Sequence, residues 1–196
     1  MKSAVFLDRD GTVNEEVDHL SDPAGLRLIP GAAEAIRLLN EAGLPAILIT
    51  NQAGVGRGLF SEEVVDAIHQ ELARQLAAHG ARLDAIYYCP HHPDAGCACR
   101  KPQPGMLVQA AREHGLDLGR SFVAGDKLSD LAAGRRVGCQ TVLVLTGYGR
   151  REQAALEDSG WQPDCVAGDL IEAVKWMLGQ VMAPSLALPR PTGEGA

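Results

Sequence analysis

Residues 4–14 read Ala4-Val5-Phe6-Leu7-Asp8-Arg9-Asp10-Gly11-Thr12-Val13-Asn14, an apolar run that ends on two carboxylates and a glycine. In an extended segment, residues i and i+2 project from one face, so Asp8 and Asp10 would look into the same small volume. A short unbroken apolar run suits a strand buried on both sides. Open α/β sheets bind ligands just past the carboxyl ends of such strands, where these two acids stand. A magnesium ion could neutralise the pair, leaving one carboxylate to attack and the other to move protons.

Outward from this stretch, apolar strand-like runs alternate with helix-like periodic segments. Strands are expected at 4–7, 45–49, 85–88, 122–124 and 141–145, with a short edge strand at 165–166. After Pro30-Gly31, the stripe Ala32, Ala35, Ile36, Leu38, Leu39 marks a helix that Gly43 ends. A glycine-rich loop (Gly54, Gly56, Gly58) leads to Ser61, the N-cap of a helix to about His79, with Val64, Ala67, Ile68, Leu72 and Leu76 facing inward. Pro104, at a first helical position, starts another helix closed near Gly115. Further helices are expected at 128–137, 152–158 and 170–182. Strands alternating with helices imply an α/β fold, a parallel sheet covered on both faces.

The 196 residues fit one domain, placed at 1–182. Residues 183–196, with their prolines and glycines and no usable period, read as a disordered tail. No apolar run approaches the roughly 18 residues a membrane span needs, and Met1-Lys2-Ser3 leaves no room for a signal peptide before the first strand. A cytoplasmic monomer without membrane attachment is the expectation. The formal charge of −7 argues against a nucleic-acid partner but not against a small anionic substrate, since phosphate recognition is local. Five cysteines, an odd number without a secretion signal, argue against a disulfide framework.

The carboxyl ends of successive strands carry polar residues: Asp8 and Asp10, then Thr50-Asn51-Gln52, then Arg100-Lys101-Pro102 before a helix, then Gly125-Asp126-Lys127 with Asp130. Each segment alone has an ordinary explanation as a turn, a cap or a solvated charge. Together they suit phosphoryl transfer, because a carboxylate nucleophile repels a phosphate dianion unless a divalent cation and nearby donors offset the repulsion. Asp8 and Asp126 can supply magnesium ligands, Thr50 a hydroxyl, and Lys101 a compact positive charge. Cys89, Cys97 and Cys99, with His91 or His92, crowd three thiols and an imidazole into a short loop, a donor set that zinc favours in closed, structural sites.

"FLDRDGT", "ITNQ", "CRKP" and "GDKLSD", in this order, resemble the four motifs of the haloacid dehalogenase-like (HAD) phosphatases, and the resemblance extends from about Val5 to Val174. It implies a three-layer Rossmann-like fold with a mainly parallel central sheet. It is closest to the branch that has no large cap domain, carries a small zinc-binding loop (89–100 here), and removes the 7-phosphate of a heptose 1,7-bisphosphate in nucleotide-activated heptose synthesis for lipopolysaccharide core. The roles implied are Asp8 as nucleophile, Asp10 as general acid and base, Thr50 and Lys101 as phosphoryl stabilisers, and Arg100 in substrate recognition. Mg2+ would be held by Asp8, the Asp10 backbone carbonyl and Asp126, with Asp130 in its outer shell. Structural Zn2+ would be held by Cys89, His91, Cys97 and Cys99, leaving His92 to solvent or substrate.

The sugar bisphosphate, the expected small-molecule partner, would meet Arg9, Glu16, Val17, Asp18, His19, Asn51, Gln52, Ala53 and Lys127. His19 departs from the tyrosine that relatives often place there, and imidazole and phenol differ in reach and charge. Two rival functions remain: a histidinol-phosphate phosphatase, and a receiver-like module that accepts phosphate without rapid turnover. The receiver reading leaves the second acid, Asp10, unexplained.

Overall fold

Six parallel strands form one sheet in the computed structural model, which describes residues 2–159 and 161–182. The stretch 183–196, expected as a disordered tail, lies outside the described residues. In chain order the strands are β1 (Val5–Leu7), β2 (Ala46–Asn51), β3 (Ala85–Cys89), β4 (Phe122–Gly125), β5 (Gln140–Val144) and β6 (Cys165–Ala167). The helices are α1 (Ala32–Glu41), α2 (Ala53–Gly56), α3 (Glu62–Ala78), α4 (Gly105–His114), α5 (Leu128–Arg136), α6 (Gly149–Ser159) and α7 (Leu170–Met182). Across the sheet the order is β3-β2-β1-β4-β5-β6, with Phe6 in register with Ile47 on one side and Val123 on the other.

Alternation along β1 divides the core into two layers. Val5 and Leu7 pack with Ile36, Leu39, Leu72, Leu76, Val174 and Met177, beneath α1, α3 and α7. Phe6 points the other way and packs with Ile47, Ile49, Met106, Leu107 and Val123, beneath α4 and neighbouring segments. Helices on both faces make the sheet the middle of three layers, as expected, and no large cap domain interrupts it among the described residues. No helix of the described residues is long and apolar enough to cross a membrane.

Several boundaries and faces differ from the sequence reading. The glycine-rich loop after β2 contains the short α2, whose backbone Gly56 N donates to Pro90 O at 2.7 Å. Pro104 is the N-cap of α4 rather than its first helical residue, α5 ends at Arg136, and α6 begins three residues before 152. On α3 the buried stripe is Val65, Ile68, His69, Leu72 and Leu76, so the helix is rotated relative to the expected face and Val64 and Ala67 are only half-buried. The strand order reverses at β1, and the crevice at such a switch point is where α/β sheets bind ligands. That geometry sets Asp8 beside the ends of β2 and β4.

Candidate active site

Asp8 follows β1 directly, is 5% exposed, and accepts a 2.7 Å hydrogen bond from Lys101 Nζ. Lys101, 3% exposed, also donates to Ile49 O at 2.8 Å and forms an ion pair with Asp130 Oδ1 at 2.7 Å. The buried ammonium thus faces three oxygens, two of them on carboxylates. Burial would lower its pKa, but Asp130 and Asp8 outweigh that and raise it, so the charge is fixed. Burial, reinforced by Asp130 and opposed by Lys101, pushes the Asp8 carboxyl up to about 6. Asn51 grips the backbone of Lys101 from both sides, its amide donating to Lys101 O and its carbonyl oxygen accepting from Lys101 N, each at 3.1 Å. The third strand's loop is thus tied to the second strand's end.

Asp126 follows β4 and is fully buried. Its Oδ2 accepts from Tyr148 N at 2.8 Å, while Oδ1 has no hydrogen-bond partner. Two glycines allow the backbone to come this close: a Cβ on Gly11 or on Gly147 would stand 2.1 or 2.2 Å from Asp126 Oδ2, and both have positive φ. Burial, then the neighbouring Asp8 charge, push Asp126 up to about 8.

Asp10 sits in a cage of donors. Arg9 Nε and Asn14 Nδ2 donate to Oδ1 at 3.1 and 3.0 Å, and Arg9 Nη2 and Gln52 Nε2 donate to Oδ2 at 2.9 and 3.0 Å. Burial favours the neutral acid, yet Arg9 and these hydrogen bonds overcome it and hold the pKa below the usual carboxylate value. Arg9, expected as a substrate contact, is itself 1% exposed, with its guanidinium on Asp10 and His69. His69 and Asn14 escaped the sequence reading, although Asn14 lies inside the opening motif and His69 is four residues after Val65 on an apolar stripe.

The cleft above these groups is lined by Asp8, Asp10, Thr50, Asn51, Lys101 and Lys127 among others. Thr50 Oγ1 accepts from Gln52 Nε2 at 2.9 Å, which leaves its own proton free to donate. Lys127 Nζ, at the cleft, pairs with Glu16 at 2.8 Å and lies 4.7 Å from the Tyr148 ring centroid. Burial would lower its pKa, but Glu16, Asp8 and Asp126 raise it. Val17, Asp18 and His19 are exposed, and His19 takes a left-handed φ of 55°. Ala53 is buried at the start of α2, and Arg100 is half-buried with its Nη1 lacking a partner.

In the loop after β3, His91 Nδ1 lies 3.5 Å from Cys89 Sγ and 3.2 Å from Cys99 Sγ, and Cys99 Sγ lies 3.2 and 3.5 Å from the sulfurs of Cys89 and Cys97. A zinc tetrahedron has donor separations of roughly 3.5–3.8 Å, so the set is slightly contracted and otherwise fits. His92 Nδ1 accepts from Asp94 N at 3.2 Å, and His91 is the histidine whose ring nitrogen lies among the three sulfurs.

The oxygen donors also fit a hard cation. Carboxylate oxygens of Asp8, Asp126 and Asp130 lie within 4.8 Å of one another. If all are ionised, Asp8, Asp10, Asp126 and Asp130 against Arg9 and Lys101 leave an excess of two negative charges in a largely buried space. The unpartnered Asp126 Oδ1 and the raised Asp126 pKa mark where that excess is felt. A divalent cation with oxygen preference, such as Mg2+, answers both.

Comparison with known proteins gives the same picture. Residues 98–173 match a family described as HAD-hydrolase-like. The D-glycero-D-manno-heptose-1,7-bisphosphate 7-phosphatase of Thermosynechococcus vestitus is 44% identical over 187 residues, 90% of this chain and 95% of that one. The structure of the Bordetella bronchiseptica D,D-heptose 1,7-bisphosphate phosphatase, complexed with magnesium and phosphate, superposes with a TM-score of 0.84 at 42% identity, covering 92% of this chain and 99% of that one. The corresponding Burkholderia thailandensis structure gives 0.70 at 34% identity, covering 90% and 99%. With its parallel sheet, its four strand-end segments in one cleft and this identity over nine-tenths of its length, the chain belongs to the heptose-1,7-bisphosphate 7-phosphatases of the HAD-like phosphatase family.

Proposed function

We propose that this chain hydrolyses the 7-phosphate of D-glycero-D-manno-heptose 1,7-bisphosphate by way of a phosphorylated Asp8, releasing heptose 1-phosphate and phosphate. The observation that carries the reading is the 2.7 Å pairing of Asp8 with Lys101 in a cleft that also gathers Asp126, Asp130, Asp10 and Thr50. Asp8 Oδ attacks phosphorus while the bond to the sugar O7 breaks, and Asp10 gives its proton to that leaving oxygen. A phosphate dianion arriving beside Asp10 raises its proton affinity, which offsets the donors that favour its ionised form. In the second step Asp10 takes a proton from water as the water oxygen attacks the phosphorus, and the Asp8 carboxylate is regenerated.

Lys101 and the Thr50 hydroxyl stabilise the phosphoryl oxygens between the two oxygens that exchange. Asp8, Asp126 and the Asp10 backbone carbonyl would hold Mg2+, with Asp130 in its outer shell. When bound, the ion supplies the positive charge that lets an anionic nucleophile approach a dianionic phosphate. Zn2+ on Cys89, His91, Cys97 and Cys99 would be structural, fixing the loop that presents Arg100 and Lys101. Arg100 and Lys127 are suited to the second phosphate, and Glu16 to His19, with Asn51, Gln52 and Ala53, to the sugar side.

The test is phosphate release, with Mg2+ and with a chelator, from the heptose bisphosphate, from heptose 1-phosphate and from histidinol phosphate. The reading expects kcat/KM for the bisphosphate at least about a hundredfold above the other two, and loss of activity on chelation. Equal or better turnover of histidinol phosphate overturns it.

A further inference from the structure

His69 is a buried titratable side chain for which the reaction as described has no use. It sits on α3, 7% exposed, among Val65, Ile68, Leu72 and Leu76, where a polar group needs a partner. Its Nε2 lies 3.4 Å from Arg9 Nη1. Arginine only donates, so Nε2 carries the lone pair and the imidazole is neutral, with its proton on Nδ1. The Tyr88 ring packs edge-on against it, centroids 5.6 Å apart, and Tyr88 in turn donates to Glu62 Oε2 at 2.7 Å. The histidine is thus wedged between a strand residue and a guanidinium.

That guanidinium has all three of its nitrogens engaged. Nε and Nη2 face the two oxygens of Asp10, and Nη1 faces His69. Arginine's donors form a rigid fork, so an acceptor at the third nitrogen sets the plane in which the other two present themselves. With that acceptor gone, a buried N–H is left without a partner and the fork turns to find one, which displaces two of the four donors that hold the Asp10 carboxylate. We propose that His69 is a positioning residue, which acts through Arg9 to hold the Asp10 carboxylate where it meets the oxygen of the departing group. The inference rests on the reading of Asp10 as general acid and base, but not on the identity of the sugar.

The leaving group separates this role from a merely structural one. An alkyl oxygen needs a proton as it departs, whereas the p-nitrophenolate of p-nitrophenyl phosphate departs without one. Misplacing Asp10 therefore slows the first step for a sugar phosphate more than for the aryl ester, and kcat/KM reports that step. For His69→Leu, the ratio of kcat/KM for the heptose bisphosphate to kcat/KM for p-nitrophenyl phosphate is expected to fall at least tenfold. His69→Gln, whose amide oxygen reaches the place of Nε2, is expected to restore the ratio to within threefold of wild type.

A ratio unchanged in His69→Leu overturns the proposal, whatever the drop in total activity or thermal midpoint. So does a failure of His69→Gln to recover the ratio. If His69→Leu does not fold, His69→Asn takes its place, since its shorter amide stops at the position of Nδ1; an Asn ratio equal to wild type is equally contrary. Should the wild type leave the heptose bisphosphate untouched, the substrate reading fails separately, and the same ratio is measured with an alkyl phosphate that it does turn over.

Discussion

Asp8, Asp10 and Asp126 owe their states to burial and to their charged and hydrogen-bonding neighbours. Asp8 is buried, with the Lys101 ammonium set against the carboxylates of Asp130 and Asp10, and Asp10 has four hydrogen bonds to its two oxygens. Asp8→Asn should bring turnover below detection while the thermal midpoint and substrate binding persist, as followed by phosphate release and calorimetry; normal hydrolysis would remove it as nucleophile. Asp10→Ala should cost about 10²–10⁴ in kcat, the usual range for losing a general acid–base group, and a loss below about fivefold would deny it that role. His69 carries a pH signature. Burial, then Arg9, push its pKa from 6.5 down to about 4, so the unfolded chain binds the extra proton first as pH falls. Its contribution is complete above pH 6.5 and is lost towards pH 4, up to about 3 kcal/mol. Chemical denaturation at pH 7 and pH 4 should show wild type losing that much more stability than His69→Gln. The motif residues were legible because chemistry ties them to strand ends. His69 was not, because helical periodicity is read from apolar residues and passes over a histidine that shares their stripe.

At the level of elements, strand ends and tight turns convert sequence into geometry. The strands could be read closely from their apolar runs, whereas α2 could not, since four residues with two glycines carry no period. The buried stripe of α3 includes Val65 and His69 rather than Val64 and Ala67, because Val64 and Val65 are adjacent and equally apolar and the pattern alone does not choose between them. Gly147 shows how a turn serves a site: with φ of 50° and a virtual Cβ 2.6 Å from Gly11 Cα, it brings β5's exit loop onto Asp126. Gly147→Ala should cost about 1–3 kcal/mol and weaken the Mg2+-induced rise in thermal midpoint, measured by calorimetry with and without the ion. The loop after β3 depends on its thiols in the same way. Elemental analysis should find about one zinc per chain. Cys97→Ser with Cys99→Ser should lose that zinc and lower both the thermal midpoint and kcat/KM, because the loop leads directly into Arg100 and Lys101. A metal-replete wild type without zinc would contradict the assignment.

For the molecule as a whole, the strand order β3-β2-β1-β4-β5-β6 brings together residues separated by more than half the chain. Sequence indicates a parallel sheet but does not fix this order, since apolar runs say little about which strands become neighbours. The four polar segments constrained it indirectly, because only an arrangement with β1 between β2 and β4 lets Asp8 meet both Thr50 and Asp126. The cost of that convergence is an excess of negative charge in a buried cleft. Mg2+ at a hundred times its Kd should therefore stabilise the protein by about 2.7 kcal/mol, a rise of roughly 5–10 °C in thermal midpoint for a chain this size. Asp126→Asn should abolish the rise, and an unchanged response would place the ion elsewhere. The central claim is that the β1 carboxylate itself carries the phosphoryl group. It is tested by reacting Asp10→Ala with p-nitrophenyl phosphate, which can phosphorylate the enzyme without an acid, then quenching with borohydride and sequencing the product. Conversion of residue 8 to homoserine is the predicted result; turnover with residue 8 intact, or with the label on another side chain, would contradict it.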